Sequence, residues 1–309
     1  MTPVLLDLDL AMGAPGSDID DGFALALAVA DPEIDLRLLT TVSGNTDAPT
    51  ATTLTLELLD RLGAGPVPVH QGANRSLAYP ASRFGRLPDG VTPRPPTPGH
   101  AVHALIEAVR AAPGELTLVA VGPLTNVAMA MLLEPTFAES LADLVIMGGV
   151  FAGTTGSAEV PGEFNVWSDP AAARIVLQSG VMATWVGLDV TRRVRLTRRD
   201  AEKMAADPHP FTAFAGRYSV AWIDHLNATD DSANDSCALH DPLAVAAVTR
   251  PDLLTLSEVN LDVQLDGVAR GVMVAGHRTS AARPGNARIA TDVDPTGFAD
   301  HFTGCLRRL

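Results

Sequence analysis

The chain has 309 residues, 47% of them hydrophobic, and 36 acids against 22 Lys and Arg give a formal net charge of −14. That balance excludes a nucleic-acid backbone as partner, since phosphate binding needs a positive face, while the hydrophobic content supports a sizeable core and excludes a disordered chain. Every apolar run is broken before it reaches membrane-spanning length, no basic-then-apolar leader is present, and Cys237 and Cys305 have no metal-type spacing, so the expectation is a cytoplasmic protein without disulfides.

The first predicted strand, Val4–Asp9, carries Asp7 and Asp9 two residues apart and therefore on one face. A Gly/Pro loop over Leu10–Ile19 leads to a predicted helix, Asp20–Ala30, that opens on the acids Asp20 and Asp21. Four carboxylates thus converge at one strand end, where mutual repulsion raises pKa values unless a cation sits among them. Oxygen-only ligands favour a hard ion, Ca2+ or Mg2+, over zinc. Counting from Asp7, the position where an EF-hand needs Gly is Met12 and the closing acid is missing, which excludes that motif. Asp18 or Asp20 alone would read as a helix cap; two acids inside an apolar strand do not.

A second strand, Leu36–Val42, runs into Ser43-Gly44-Asn45, and a helix follows over Pro49–Leu62. Leu77–Gly99 is crowded with Pro, Arg and Gly and reads as a long surface loop. Beyond it come a helix over His100–Ala111, a strand over Leu116–Val121, the turn Gly122-Pro123-Leu124-Thr125-Asn126 and a helix over Leu124–Leu133. The strand Leu144–Met147 closes on Gly148-Gly149, where backbone can approach a ligand. Glu163-Phe164-Asn165 offers acceptors and donors suited to a polyol, and Ser168-Asp169-Pro170 starts a helix reaching Gln178.

The later elements are a strand over Thr184–Leu188, a helix over Arg198–Ala206 preceded by the capping Thr197, and a helix over Phe211–Leu226. Phe211, Phe214, Tyr218, Trp222 and His225 recur there at helical spacing, either as core or as the wall of a site for a flat aromatic ligand. The polar stretch Asn227–Ser236 reads as mobile. His240-Asp241-Pro242 opens a helix over Asp241–Val248, with His240 suited to donate a proton near neutrality and Asp241 able to join a distant acid cluster. Strands over Val259–Leu265, Gly271–Val274 and Ala287–Ala290 complete the set. The alternation predicts an α/β fold, an open, mostly parallel twisted sheet with helices on both faces, as one domain over residues 1–309. Lys203 is the only lysine, and P-loop, dinucleotide-turn, His-Glu-x-x-His and Gly-x-Ser-x-Gly motifs are missing.

In this order the N-terminal acids, Val42-Ser-Gly-Asn45, Val121-Gly-Pro-Leu-Thr-Asn126, Val145-Ile-Met-Gly-Gly149, Glu163-Phe-Asn165 with Asp169-Pro170, Leu188-Asp-Val-Thr191 and His240-Asp-Pro242 resemble the inosine-uridine nucleoside hydrolase family. The resemblance runs from Asp7 to about Asp294. It implies an open α/β fold with one Ca2+ at the base of a deep pocket and hydrolysis of ribonucleosides to ribose and free base. By the same likeness Asp9, Asp21 and Asp241, with a backbone carbonyl at Val121, would hold the ion, and Asp7 would support them from behind. Asp20, Asn45, Glu163 and Asn165, with the Met147 backbone, would hold the ribose. Asp9 would take the proton of the attacking water, and His240 would be the acid for the departing base. Dimers or tetramers are common in the family, so a homo-oligomer is expected.

Three places depart from the family pattern. Leu10–Ile19 lengthens the loop between the acid pairs, Ser157 stands where an Asn is familiar, with Thr154 or Thr155 as substitute contacts, and Phe84-Gly85 stands where a His often precedes Gly. Two competing readings use the same acids. A haloacid-dehalogenase-like Mg2+ phosphatase would take Asp7 as nucleophile, but it leaves Asp20-Asp21 and His240-Asp241 without a purpose. A non-catalytic, metal-dependent nucleoside or sugar sensor is the reading that Ser157 and Phe84 keep open.

Overall fold

In the computed structural model, which describes residues 1–14, 16–80, 83–229, 234–276 and 284–309, β1 (Thr2–Leu8) lies inside a nine-stranded sheet. From Val4 onward every residue of β1 is buried, the pattern of an inner parallel strand covered on both faces. The chain continues through α1 (Asp20–Ala30), β2 (Ile34–Thr41), α2 (Ala48–Leu62), β3 (Val69–Gln71), α3 (Ala101–Ala111), β4 (Thr117–Ala120), α4 (Thr125–Leu133) and β5 (Asp143–Met147). Two helices, α5 (Phe164–Ser168) and α6 (Pro170–Gln178), precede β6 (Ala183–Val186) and the short α7 (Leu188–Thr191). A two-stranded ribbon of β7 (Arg195–Thr197) and β8 (Ser236–Ala238) brackets α8 (Arg198–Ala205) and α9 (Pro210–Thr229). The last part holds α10 (His240–Thr249), β9 (Leu254–Val263), β10 (Met273–Gly276), β11 (Ala287–Val293) and α11 (Pro295–Leu306).

The sheet order is β10-β9-β11-β6-β5-β4-β1-β2-β3. From β11 to β3 all neighbours are parallel, whereas β9 pairs antiparallel with both β11 and β10 at one edge. Alternate side chains of β1 feed two separate cores. Leu6 and Leu8 join Phe23 of α1, Leu54 of α2, Phe211 of α9, Leu243 of α10 and Phe298 of α11. Leu5 joins Leu105 of α3, Val127 of α4 and Val176 of α6 on the other face. Helices therefore cover both faces, and the expected α/β architecture holds with a mixed edge.

Helix starts follow local chemistry. Thr197 accepts from the Asp200 N–H and Asp169 from the Ala172 N–H, with Pro170 in the first turn, as the sequence predicts. Several boundaries differ. β1 ends at Leu8, so Asp9 sits just past the strand, and Leu188 opens α7 instead of ending β6. The strand expected at Gly271–Val274 lies at Met273–Gly276. The three-residue strands β3, β7 and β8 and the helices α5, α7 and α11 were not anticipated, α11 despite Asp294 accepting from the N–H groups of Thr296 and Gly297 ahead of a Pro. The described residues between Gly72 and His100 form no helix or strand, in keeping with the long loop. Of the stretch expected to be mobile, 227–229 end α9 and Ser236 begins β8, while 230–233 lie outside the described residues. Phe211 and Phe214 are core residues, which decides the aromatic stripe in favour of packing.

Candidate active site

Asp7 lies beside Thr40 of β2 and Ala120 of β4 in the sheet register, near the carboxyl ends of three parallel strands. Open α/β sheets bind ligands there. The Thr40 hydroxyl donates to Asp7 Oδ1 at 2.5 Å and the Asn126 amide donates to the same atom at 2.8 Å. Asn126 also donates to the Thr41 carbonyl and accepts from the Ala73 N–H, so it ties β1, β2 and the loop after β3 together. Burial nonetheless pushes the Asp7 carboxyl up to about 7, against the lowering effect of Asn126 and Thr40. Asp7 Oδ2 is buried with no partner among the described residues.

Asp9 accepts from the Asn45 N–H at 2.6 Å through Oδ2, and its own N–H donates to Asp21 Oδ1 at 3.1 Å. Its Oδ1 is buried without a partner among the described residues. The backbone can come this close only because Gly44 and Gly122 lack side chains. A Cβ on Gly44 would lie 2.8 Å from Asp9 Cγ and 2.7 Å from Pro123 Cδ, and one on Gly122 would lie 3.0 Å from Asp9 Oδ1. Burial raises the Asp9 pKa to about 7, with the Asn45 hydrogen bond working the other way.

The first turns of α1 and α10 bring Asp20 and Asp21 to Asp241 across the top of the sheet. One carboxylate oxygen of each lies within 4.8 Å of the others, and all three residues are buried. The Asp241 N–H donates to Asp20 Oδ2 at 3.2 Å, and the Asn45 side chain donates to Asp21 Oδ2 at 3.2 Å. Burial and then repulsion between neighbouring carboxylates push all three well above the ordinary range. Helix N-termini favour the anions and offset part of that cost. Four buried acids, one with an orphaned oxygen, are the environment of a bound cation. Their all-oxygen donor set fits a hard divalent ion. The family resemblance groups Asp9 with Asp21 and Asp241; the tightest trio in the structure is Asp20, Asp21 and Asp241, with Asp9 beside it through its N–H bond to Asp21.

Beside the acids is a cavity of about 230 Å3, whose lining includes Asp18, Asp20, Asn45, Glu163, Asn165 and His240. Glu163 spends its carboxylate on backbone, accepting from the N–H groups of Asn165, Val166 and Gly149 at 2.8–3.1 Å. Burial raises its pKa although those bonds lower it. Asn165 donates to the Val121 carbonyl at 2.8 Å and to the Met147 carbonyl at 3.4 Å, so every residue expected from β4, β5 and α5 meets in one wall. Ser157 and Thr155 also line the cavity, and Ser157 Oγ accepts from the N–H groups of Glu159 and Val160. Phe84 does not line it and is 76% exposed.

His240 Nδ1 lies 2.7 Å from the Thr191 hydroxyl. Burial, aided by Arg192 and Arg195, lowers its pKa to about 3, so the ring is neutral at physiological pH. If Nδ1 accepts from Thr191, the ring proton is on Nε2. Thr191 enters the sequence reading only as the end of Leu188-Asp-Val-Thr191, with no role of its own, and Arg83 does not enter it; the Arg83 guanidinium packs 4.0 Å over the Phe164 ring and donates to Asn45 Oδ1 at 3.3 Å. Asp18 reads from sequence as a cap, yet it lines the cavity.

Two other features lie apart from these acids. A larger cavity of about 670 Å3 lies among β7, α8 and α11 and contains none of these acids. Asp31, His301 and Cys305 form another compact group. There Asp31 accepts from Thr249 at 2.7 Å and lies 3.2 Å from His301, so it joins the far ends of α1 and α10 to α11.

Comparison with known proteins agrees with this geometry. The sequence pattern of the inosine-uridine preferring nucleoside hydrolases matches residues 4–300. The chain is 33% identical over 281 residues to a probable uridine nucleosidase 2 of Arabidopsis thaliana, covering 87% of this chain and 84% of that protein. It is 31% identical over 308 residues to the pyrimidine-specific ribonucleoside hydrolase RihA of Citrobacter koseri, 96% of each. The solved structure of the plant nucleoside hydrolase PpNRh1 matches with a TM-score of 0.85 and 30% identity, over 99% of this chain and 98% of that one.

Proposed function

The chain belongs to the inosine-uridine preferring nucleoside hydrolase family, and from that premise we propose that it hydrolyses ribonucleosides to ribose and free base in the cavity above its buried acids. The observation that carries this reading is the orphaned, buried Asp9 Oδ1 close to Asp20, Asp21 and Asp241, of which Asp20 and Asp241 line a small cavity. The phosphatase reading takes Asp7 as nucleophile, and one oxygen of that carboxylate is already occupied by the Thr40 hydroxyl and the Asn126 amide. The cavity volume suits a sugar with its base at the mouth, since sites for drug-sized ligands run to about 300–1,000 Å3.

Asp9, Asp21 and Asp241, with the Val121 carbonyl, would hold Ca2+, and Asp20 stands close enough to contribute. Ca2+ accepts six to eight oxygens in flexible geometry, which suits a crowded carboxylate set better than the rigid octahedron of Mg2+. When bound, such an ion supplies a Lewis acid that orients water and lowers its pKa. The chain's own residues do the rest. Asn45, Asp20 and Asn165 would hold ribose hydroxyls, with the Met147 backbone beside them. Glu163 has one acceptor position left after its three backbone bonds. Asp9 would take the proton of the attacking water, and the surrounding carboxylates would stabilise positive charge developing on the sugar. His240, neutral, would donate from its ring N–H toward the leaving base.

Two relatives are named for uridine or pyrimidine nucleosides, so uridine is the first substrate to test. Incubation with uridine, cytidine, inosine and adenosine in Ca2+, read by a reducing-sugar assay, tests the proposal. No sugar released from any of them would end the catalytic reading and favour the sensor. We also propose one domain over residues 1–309, a homodimer or homotetramer and a cytoplasmic location; light scattering tests the assembly. Among the described residues no helix is long and apolar enough to cross a membrane.

A further inference from the structure

Arg83 is placed against two residues of the ribose cavity at once. Its guanidinium stacks 4.0 Å over Phe164 and donates to Asn45 Oδ1 at 3.3 Å, and both of those residues line the cavity. Its charge is felt by Asp9 and Asp18. The backbone just after it is pinned, because the Gly85 N–H donates to Asp47 Oδ2 at 3.0 Å and a Cβ on Gly85 would lie 2.8 Å from the Thr50 methyl. That short tether to the start of α2 holds Arg83 at the solvent-exposed rim. Asn45 Oδ1 is the only hydrogen-bond acceptor that its guanidinium reaches among the described residues, so most of its five N–H donors are left for a ligand. Phe84, next in the chain, points away into solvent.

We propose that Arg83 is a catalytic residue that hydrogen-bonds the nucleobase as it leaves, a role that rests on the ribonucleoside reading above. With ribose seated on Asn45, Glu163 and Asn165, the base stands at the rim. When the C1′–N bond breaks, its electron pair stays on the base nitrogen and spreads to the ring oxygens and nitrogens. The water oxygen forms the new bond to C1′ and gives its proton to Asp9. The guanidinium donates a hydrogen bond to the developing base anion without losing its own proton, since Arg remains charged at all working pH values. The base gains its proton from the His240 ring N–H or, after release, from solvent. Stacking on Phe164 holds the guanidinium plane in place before the charge appears, which is how a preorganised donor lowers a barrier.

The alternative is that Arg83 only balances the charge of Asp9 and Asp18. The two roles separate by leaving group. Arg83→Gln and Arg83→Lys are compared with the unaltered protein in Ca2+, by kcat/KM for uridine, inosine and 4-nitrophenyl β-D-ribofuranoside, whose nitrophenolate leaves without help. Arg83→Gln is expected to slow both nucleosides about 10²-fold and the nitrophenyl riboside less than about threefold, with Arg83→Lys between. The Ca2+-induced rise in Tm is expected to stay as in the unaltered protein. An equal loss on all three substrates, or no loss on any, overturns the leaving-group role while the ribonucleoside reading stands. An unaltered protein that cleaves none of the three overturns that reading, and this inference with it.

Discussion

Gly44→Ala should cripple the site without touching any functional side chain. The added Cβ would stand 2.8 Å from Asp9 Cγ and 2.7 Å from Pro123 Cδ, where ordinary contact begins at 3.4 Å. Asp9 must therefore retreat by at least about 0.6 Å, because the Pro123 ring blocks the opposite direction. That exceeds the roughly 0.5 Å tolerance of a working site, and a misplacement near 1 Å costs about 10²-fold. The same shift strains the 2.6 Å bond from the Asn45 N–H to Asp9 Oδ2. The expected result is a fall in kcat/KM of about 10–10²-fold, weaker Ca2+ binding by calorimetry, and an overpacking cost of about 1–3 kcal/mol. Gly65→Ala is the control, since a Cβ there meets nothing within 4 Å. If Gly44→Ala kept the kcat/KM and Ca2+ affinity of the Gly65→Ala protein, the close approach of backbone to Asp9 would have no role in the chemistry.

Asp9→Asn should lower turnover by about 10²–10⁴-fold, the usual loss for a general base, and circular dichroism should show the fold unchanged; near-normal turnover would remove Asp9 from the mechanism. In chelator, stability should fall as pH rises. Asp7 and Asp9 have folded-state pKa values of about 7 against 3.8 when free, so the native state holds more protons between those limits and the stability present below pH 3.8 is lost toward pH 7. Ca2+ should raise Tm most at the alkaline end and release protons as it binds; a Tm independent of pH in chelator would contradict the burial of those acids. His240→Ala should affect purine and pyrimidine nucleosides unequally, and the acid limb of the pH–rate profile should survive it, because the His240 pKa lies near 3. Loss of that limb in the variant would mean that His240 titrates in the working range.

The inner parallel strands β1, β4, β5 and β6 are legible to within a few residues because they are buried almost throughout and read as apolar runs. The ribbon strands β7 and β8, at three residues each, are too short to carry a period. The helix α11 was missed although its Asp294-Pro295 start and its Phe298 and Phe302, four residues apart, were in view. In the acid cluster, the closeness in sequence of Asp7, Asp9, Asp20 and Asp21 is enough to imply repulsion that a cation would relieve. Arg83 has no such signal, and Thr191 has only its place in Leu188-Asp-Val-Thr191. A lone arginine in a Pro-rich loop and a threonine ending a four-residue helix look like ordinary surface and cap residues until their partners, Asn45, Phe164 and His240, are placed beside them.

Sequence by itself determined the strand-helix alternation and the acids of the N-terminal segment that need a counter-charge, because hydrophobic period and repulsion between neighbouring like charges are local properties. Only the tertiary structure decided that Asp241, 220 positions beyond Asp21, joins Asp20 and Asp21 in one trio. It also decided that Glu163 spends most of its carboxylate on backbone and that His240 is neutral. Those outcomes depend on which helix ends the packed sheet brings together and how much water it excludes there, and neither distance nor dielectric is written in the order of the residues.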